Sequence, residues 1–195
     1  MSTPNDDSSE PNTNPDGPLE LRRLVLDDAP WVQALFQSNA RDNLTEEQRR
    51  RSGFVQGNLD TEMIKQRVDG PASVVALVGD TGVGVILSAE PDTFPKGPPA
   101  LAVAAAREAG LEDFYLYGPG VVDENYRGRG ILRTLKDESI RATAQSGKYL
   151  WAVGFVEHSN EASMAAHRKT GWRSVGSFTF KEREYEVIAH PVEPS

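Results

Sequence analysis

Residues 114–156 constrain the fold more than any other stretch of the chain. They begin with the strand-like run FYLYGPGVV (114–122) and continue through a loop into a helical pattern that ends near Ser146. A second strand-like run, YLWAVGFV (149–156), follows that helix. Because a helix of this length cannot serve as a hairpin connection, the two strands are predicted to run parallel, joined by a crossover.

The rest of the pattern is mostly antiparallel. β-branched runs on both sides of Gly82 predict a hairpin, LELRRLVL (19–26) predicts a first strand, and two further strand-like runs end the chain. Asp27 or Asp28 is expected to cap one helix and Thr45 another. Other helices are predicted around 31–36 and over 45–51, 61–68, 101–110 and 160–171. The sequence therefore predicts an α/β (α+β) fold with a mixed, mostly antiparallel sheet.

The N-terminal 18 residues differ from the rest in composition. They are mostly Ser, Pro, Asn, Asp and Gly, with almost nothing to bury, so residues 1–18 are predicted to be a disordered acidic tail. One folded domain is predicted over 19–195. The tail carries half of the net charge of −8, which leaves this domain only mildly acidic.

The composition excludes several classes of site and partner. The chain has 195 residues and no cysteine, which excludes disulfides, Cys-ligated zinc and thiol nucleophiles. Its negative charge argues against a general affinity for nucleic acid or an anionic membrane. It has no uncharged apolar run of about 18 residues and no secretory signal pattern, so a cytoplasmic protein is expected. A monomer or a homodimer is expected.

The loop YRGRGIL (126–132) joins the first parallel strand to the helix. Gly128 and Gly130 leave bare backbone that a ligand can approach, and consecutive amides at a helix start bind anions. Arg127 and Arg129 add positive charge. The loop therefore predicts a phosphate or pyrophosphate site.

The same loop also fits a purely structural role, because a glycine-rich turn can simply join a strand to a helix. A Rossmann loop needs a third glycine and a Walker A loop needs Gly-Lys-Ser/Thr, and both are absent here. An RNA-binding RGG segment is not expected inside an ordered strand–helix junction of an acidic protein. A phosphate site and a structural turn both stay open.

The segment VVDENYRGRGILRTL (121–135) resembles the acyl-CoA-binding segment of the GCN5-related N-acetyltransferases (GNAT), whose pattern is Arg/Gln-x-x-Gly-x-Gly/Ala. Arg127 and Gly130 match the pattern. Leu132 departs from it, because the family has a small residue there, near the pyrophosphate, and a change in the fit of the cofactor is expected.

A second segment, VEHSNEASMAAHRKTGW (156–172), looks like the segment that follows in the family, with an Asn at the start of a helix and a Gly-aromatic pair at its end. Asn160 is the Asn of this pattern. A role as a helix cap alone explains it equally well. The resemblance covers roughly residues 114–180, and the order of the preceding elements also suits the family.

The resemblance implies a GNAT-like sheet whose central parallel strands splay apart around acyl-CoA, with helices on both faces. It implies main-chain hydrogen bonds from the first parallel strand to the pantetheine arm and a pyrophosphate held by the following loop. The cofactor-binding residues implied in this way are Val121, Val122, Arg127, Gly128, Arg129, Gly130, Ile131, Leu132, Arg133 and Asn160.

The resemblance also implies an activity: transfer of the acetyl group of acetyl-CoA to a primary amine, by direct attack in a ternary complex and without a metal. His167 stands seven residues after Asn160, where the family often has a Tyr that protonates the departing CoA thiolate. An imidazole can also donate a proton, so His167 is the predicted general acid. A lone His on a helix is also commonly a surface or packing residue.

Glu157 and Tyr117 are the candidates for the general base. Glu157 ends the second parallel strand and is the best-placed carboxylate, although a solvated charge at a strand end explains it equally. Tyr117 is a poor base unless its pKa of about 10 is lowered, so it is better suited to shape the site or to orient water. A chain of water molecules is an equal alternative to either residue.

The acceptor is expected to be a small molecule or a peptide held by residues 31–68 and by the loop 91–100. Two other functions fit the same residues. One is a non-catalytic GNAT-fold protein that binds acyl-CoA or a partner protein. The other is a protein that binds a nucleotide or another phosphate at the same loop.

Overall fold

The computed structural model of the protein describes residues 17–57 and 59–193, so the predicted tail lies almost wholly outside the described residues. The strands are β1 (Leu19–Arg23), β2 (Val74–Val78), β3 (Thr81–Ala89), β4 (Phe114–Val122), β5 (Trp151–Glu157), β6 (Arg173–Phe180) and β7 (Arg183–Pro191). The helices are α1 (Ala29–Ser38), α2 (Glu46–Ser52), α3 (Thr61–Lys65), α4 (Pro98–Glu108), α5 (Ile131–Ala144) and α6 (Glu161–Lys169).

The seven strands form one sheet in the order β1-β2-β3-β4-β5-β7-β6. Among these strands only β4 and β5 pair in parallel, and α5 makes the crossover between them. The predicted mixed, mostly antiparallel sheet is therefore confirmed. No helix in the described ranges is both long and apolar enough to cross a bilayer.

The central parallel pair is short and then opens. β4 and β5 pair from Phe114 opposite Trp151 only as far as Leu116 opposite Val153. Beyond that point β4 stays paired with β3 and β5 stays paired with β7. The two strands consequently diverge, and an unpaired gap separates residues 117–122 of β4 from residues 154–157 of β5.

Helices cover both faces of this sheet, because side chains alternate along each strand. Leu116 of β4 and Val153 of β5 pack in one cluster with α4, and α1 covers the neighbouring part of the same face. Tyr115 and Ala152 point to the other face, where they pack with Met164 of α6. Helix α5 covers that second face over β2 and β3. The two faces at the gap thus belong to different sets of helices.

The predicted helix caps behave differently from one another. Thr45 caps α2 as expected, since its hydroxyl accepts a hydrogen bond from the Gln48 amide at 3.2 Å. Asp28 stands at the N-cap position of α1, but its carboxylate makes no capping bond. It instead accepts two hydrogen bonds from Arg22, at 2.7 Å each, and one from the Trp31 indole. Asp28 therefore joins β1 to α1.

Candidate active site

The glycine-rich loop opens onto the N-terminus of α5. Gly128 and Gly130 have φ angles of +77° and +79°, in the left-handed region that favours glycine, and Gly130 is the N-cap residue of α5. A Cβ placed on either glycine would meet no atom within 4 Å. The first N–H groups of a helix have no intrahelical acceptor. The loop therefore offers open space in front of amide donors, which fits a phosphate group.

The arginines of the loop turn towards the protein. Arg127 donates from Nε to the Val122 carbonyl at 3.2 Å and from Nη2 to the side-chain oxygen of Asn39, at the end of α1. Arg129 lies over the Tyr126 ring, 5.2 Å from its centroid. That these side chains supply positive charge to a ligand stays a prediction. In the structure, Arg127 fastens the loop to β4 and to α1.

The two valines predicted to bind pantetheine face opposite ways. The Val121 carbonyl oxygen lies 3.3 Å from the place of a Cβ on Gly84, so it faces β3. The Asp123 amide also donates towards β3, to the Val83 carbonyl at 2.9 Å. By alternation, the main-chain groups of Val122 point away from β3; its carbonyl accepts the bond from Arg127 Nε, and its amide is left towards the gap. The open edge of β4 therefore presents Val122 rather than Val121.

Leu132, the residue that departs from the family pattern, lies over β4. It is the second residue of α5 and its side chain is exposed. A Cβ on Gly120 would lie 3.0 Å from Leu132 Cδ1 and 2.9 Å from Ile86 Cγ1. The absence of a side chain at Gly120 thus makes room for the larger residue at position 132.

Two of the predicted catalytic residues meet at the point where β4 and β5 diverge. Tyr117 is the first residue of β4 beyond the parallel pairing, and His167 reaches it from α6. Their ring centroids are 6.4 Å apart, and the Trp172 ring lies 4.7 Å from Tyr117 and 5.2 Å from His167. All three side chains lie on the sheet face that α6 covers.

The hydrogen bonds of His167 fix which of its ring nitrogens carries the proton. Nδ1 lies 2.8 Å from the Ser163 carbonyl oxygen and 3.3 Å from Ser163 Oγ. Because the closer carbonyl oxygen can only accept, these contacts favour the tautomer with hydrogen on Nδ1 and the lone pair on Nε2. Burial lowers the pKa of His167 below its usual value; the bond to Ser163 opposes this shift and the nearby Lys136 adds to it. The neutral ring therefore predominates at neutral pH.

Tyr117 is held in its protonated form. Burial raises its pKa well above the usual value, and the neighbouring Tyr115 and Asp137 act in the same direction. A phenol in this state does not serve as a base. The placement of Tyr117 against His167 and Trp172 suits the shaping role that the sequence also allowed.

Glu157 lies on the other face of the sheet, buried at the end of β5. Gln56 donates to its Oε2 and Ser159 to its Oε1. Arg41 Nε lies 3.6 Å from Oε1, and Arg183 Nη1 lies 3.8 Å from Oε2. Glu157 is therefore an enclosed, paired carboxylate and not a solvated charge at a strand end.

A cleft of about 740 Å³ lies beside Glu157. It is lined by α1, the turn at 40–43, residues 55–57 and 59, and Arg183 of β7, and it shares Arg41, Gln56 and Arg183 with the surroundings of Glu157. This cleft is on the α1 side of the sheet, whereas the aromatic group with His167 is on the α6 side. The gap between β4 and β5 separates the two.

Asn160 confirms its predicted part as the cap of α6. Its side-chain oxygen accepts from the Ser163 amide at 3.3 Å, and its side-chain nitrogen donates to the Phe54 carbonyl at 3.0 Å. The oxygen also lies 2.9 Å from the place of a Cβ on Gly53, whose φ is +70°. Its predicted contact with a cofactor stays a prediction.

Arg133 and Ile131 complete the predicted cofactor residues. Arg133 lies on the exposed side of α5, with Nε 3.8 Å from Asp137 Oδ2, and Ile131 is buried under the start of that helix. In the part of the chain that is described, no group of three or more His, Asp or Glu side chains is arranged to hold a metal ion.

The comparisons with known proteins rest on structure. No protein-family model matches the chain, and no curated protein sequence matches it. The ribosomal-protein-S18-alanine N-acetyltransferase from Escherichia coli superposes with a TM-score of 0.62 at 12% identity, over 91% of this chain and 96% of that one. The acetyltransferase of GNAT family from Streptococcus pneumoniae gives 0.62 at 16% identity, over 90% and 100%. The structure of yncA from Salmonella typhimurium, determined with its cofactor acetyl-CoA, gives 0.62 at 12%, over 92% and 96%.

Proposed function

We propose that this chain, which has the fold of the GNAT N-acetyltransferases, transfers the acetyl group of acetyl-CoA to a primary amine by direct attack in a ternary complex. The observation that carries the proposal is the divergence of β4 and β5 beside an open glycine loop. This gap lies between the glycine loop at the start of α5 and the cleft on the α1 side of the sheet. One neighbour of the same fold was determined with acetyl-CoA.

The cofactor is proposed to bind along α5 and β4. The amides of residues 128–133 would hold its pyrophosphate, because Gly128 and Gly130 leave their approach clear. The open edge at Val122 would hydrogen-bond the pantetheine arm. Arg127 contributes by fixing the loop to β4 and to the end of α1.

The acceptor amine is proposed to enter from the cleft beside Glu157. Acetyl-CoA supplies an activated thioester, whose carbonyl carbon forms a bond to the amine nitrogen while its bond to sulfur breaks. The enzyme forms no covalent bond in this route, so its residues have to orient two substrates and move protons.

His167 is proposed to move the proton between the two substrates. Its neutral ring presents a lone pair on Nε2, which accepts the proton that the nitrogen loses after attack. The resulting imidazolium then donates that proton to the departing sulfur. The general-acid role expected from the sequence is reached in the second step, after His167 has first acted as a base.

Glu157 is proposed to position the acceptor cleft, because four neighbours already surround its two oxygens. This differs from the base role expected from the sequence. A Glu157→Gln variant separates the two roles, since a positioning carboxylate supports stability and a base supports kcat.

The activity is tested by measuring CoA thiol released from acetyl-CoA in the presence of single amines. Release that requires both an amine and the wild-type protein, with the acetylated amine identified by mass spectrometry, is the expected outcome. Binding of acetyl-CoA without release, over small amines and peptides alike, would instead support the non-catalytic GNAT-fold alternative. The absence of acetyl-CoA binding would overturn the proposal altogether.

A further inference from the structure

We infer that the acceptor carries a carboxylate near its amine, so that it is an amino acid or a close analogue bound between Arg41 and Arg183. This inference rests on the proposed function and narrows its substrate class. It comes from an imbalance of charge in the cleft of 740 Å³ beside Glu157.

The imbalance consists of two cations that share one anion. Arg41 and Arg183 approach Glu157 from different sides, at 3.6 Å and 3.8 Å. Both distances exceed those of hydrogen bonds, so the guanidinium donors are not used up by the carboxylate. Arg41 Nε is buried and has no hydrogen-bond partner among the described residues. Around Glu157 the two guanidinium groups exceed the carboxylate by one positive charge, and Asp42, on the exposed part of the same cleft, carries a negative charge.

Glu157 cannot turn to satisfy both arginines, because its oxygens are held by other groups. Gln56 donates to one oxygen and Ser159 to the other. The Tyr185 hydroxyl in turn donates to the side-chain oxygen of Gln56 at 2.7 Å, which fixes the orientation of that amide. The carboxylate is therefore fixed in place while the arginines keep free donors.

The donors left over are of the type that recognises carboxylates. A guanidinium group binds a carboxylate through paired, charge-assisted hydrogen bonds. The single excess positive charge around Glu157 matches one carboxylate, whereas a phosphate dianion would exceed it. Arg41 is also oriented by the Phe54 ring, 5.6 Å from its guanidinium carbon. The cleft is thus arranged to receive a singly charged anionic group.

The rest of the cleft suits the other parts of an amino acid. Asp42 lines it from an exposed position and can pair with the ammonium group, which releases one proton to solvent to give the free amine that attacks. Phe36, Val55 and Leu59 also line it and offer an apolar wall for a side chain. The zwitterionic charge of an amino acid therefore finds a partner for each of its two groups.

The test compares acids with their amides. Each of the proteinogenic amino acids is offered with acetyl-CoA, beside its carboxamide, which keeps the amine and the side chain but lacks the negative charge. For the best acceptor we expect the KM of the amide to exceed that of the acid by at least about tenfold, because a charge-assisted pair is lost.

Variants of the two arginines test whether they cause the difference in KM between acid and amide. Arg183→Lys keeps the positive charge but loses the planar fork, and Arg41→Gln loses the charge. Both are expected to raise the KM of the acid about tenfold or more while changing the KM of the amide little. Arg107→Gln is the matched control, since Arg107 is an exposed arginine paired with Asp92 outside this cleft. Thermal midpoints of all variants establish that they are folded.

The outcomes separate the inference from the proposed function. Equal or better turnover of the amides, or turnover only of amines without a carboxylate, overturns the inference and leaves the acetyltransferase intact. The inference is also overturned if the two arginine variants leave the KM of the acid unchanged. A protein that does not bind acetyl-CoA in calorimetry instead overturns the proposed function, on which the inference rests.

Discussion

The position of one hydrogen atom on His167 determines what that residue can do. Since Nδ1 is bound to the Ser163 carbonyl, the neutral ring accepts and does not donate at Nε2. The sequence alone led to a general acid, because spacing from Asn160 carries no information about the tautomer. The hydrogen bond inside α6 supplies that information.

Replacing His167 tests this assignment. We expect His167→Phe to lower kcat by about 10²- to 10⁴-fold while the Kd of acetyl-CoA changes little, because proton transfer is lost and the aromatic contacts are kept. A base acts in its neutral form, and the pKa of His167 is lowered by burial, so the rise of wild-type kcat with pH that is due to His167 should have its midpoint below a pH of about 6.5. A variant with unchanged kcat would end the assignment.

The same pKa shift affects stability. The folded protein binds a proton at His167 less tightly than the unfolded chain does, so protonation favours unfolding. The contribution of the neutral His167 to the free energy of unfolding is therefore complete above about pH 6.5. It is lost as the pH falls below the pKa that His167 has in the unfolded chain. His167→Phe should flatten that part of a plot of unfolding free energy against pH.

Glu157 is the second residue whose role is decided by its neighbours. We expect Glu157→Gln to lower the free energy of unfolding by about 1–3 kcal/mol, because two half-exposed guanidinium groups lose their common anion. Urea unfolding measures this, with the exposed Glu184→Gln as the control. A variant of full stability whose kcat nevertheless collapses would restore Glu157 as the base.

At the scale of elements, α5 has a bare glycine at each end, which provides a matched pair of variants. Gly130 and Gly147 have φ angles of +79° and +63°, and a Cβ on either would meet nothing within 4 Å. Glutamate at either place should cost about 1 kcal/mol of stability. Only Gly130→Glu should abolish acetyl-CoA binding in calorimetry, because it places a carboxylate at the phosphate loop. Equal affinity in the two variants would remove this loop from the cofactor site.

The contact between α5 and β4 gives a second prediction at this scale. Gly120→Ala should destabilise the protein by about 1–3 kcal/mol, because its Cβ would meet Leu132 and Ile86 at 3.0 Å or less. Leu132→Ala should recover part of that loss in the double variant. Urea unfolding of the four proteins measures the coupling, and strict additivity would show that Leu132 does not rest on Gly120.

The sequence predicted elements well where local pattern decides them. The bounds of β4 agree with the prediction, and Asn160 and Thr45 cap helices as expected. Asp28 makes no capping bond to α1, because the Arg22 guanidinium competes for its carboxylate. The surroundings of Glu157 could not be predicted, since Gln56 lies 101 positions away and nothing in either local sequence marks the contact.

At the scale of the whole molecule, the proposed cofactor loop and the proposed acceptor cleft lie on opposite faces of one sheet, so we expect each to bind its ligand without the other. Acetyl-CoA should therefore raise the thermal midpoint without an acceptor. At about 100 times its Kd, a ligand that binds only the folded state adds roughly 2.7 kcal/mol. ATP and NAD at equal concentration are the controls, and a rise with either but not with acetyl-CoA would favour the phosphate-binding alternative.

The hydrogen bond from Arg127 to Asn39 has a consequence for how two ligands influence each other. Arg127 belongs to the proposed phosphate loop, while Asn39 adjoins Ala40, which lines the proposed acceptor cleft and bridges to Val55. The loop is therefore linked through Asn39 to the wall of the cleft. By thermodynamic reciprocity, whatever factor acetyl-CoA applies to the affinity for the acceptor, the acceptor applies to the affinity for acetyl-CoA.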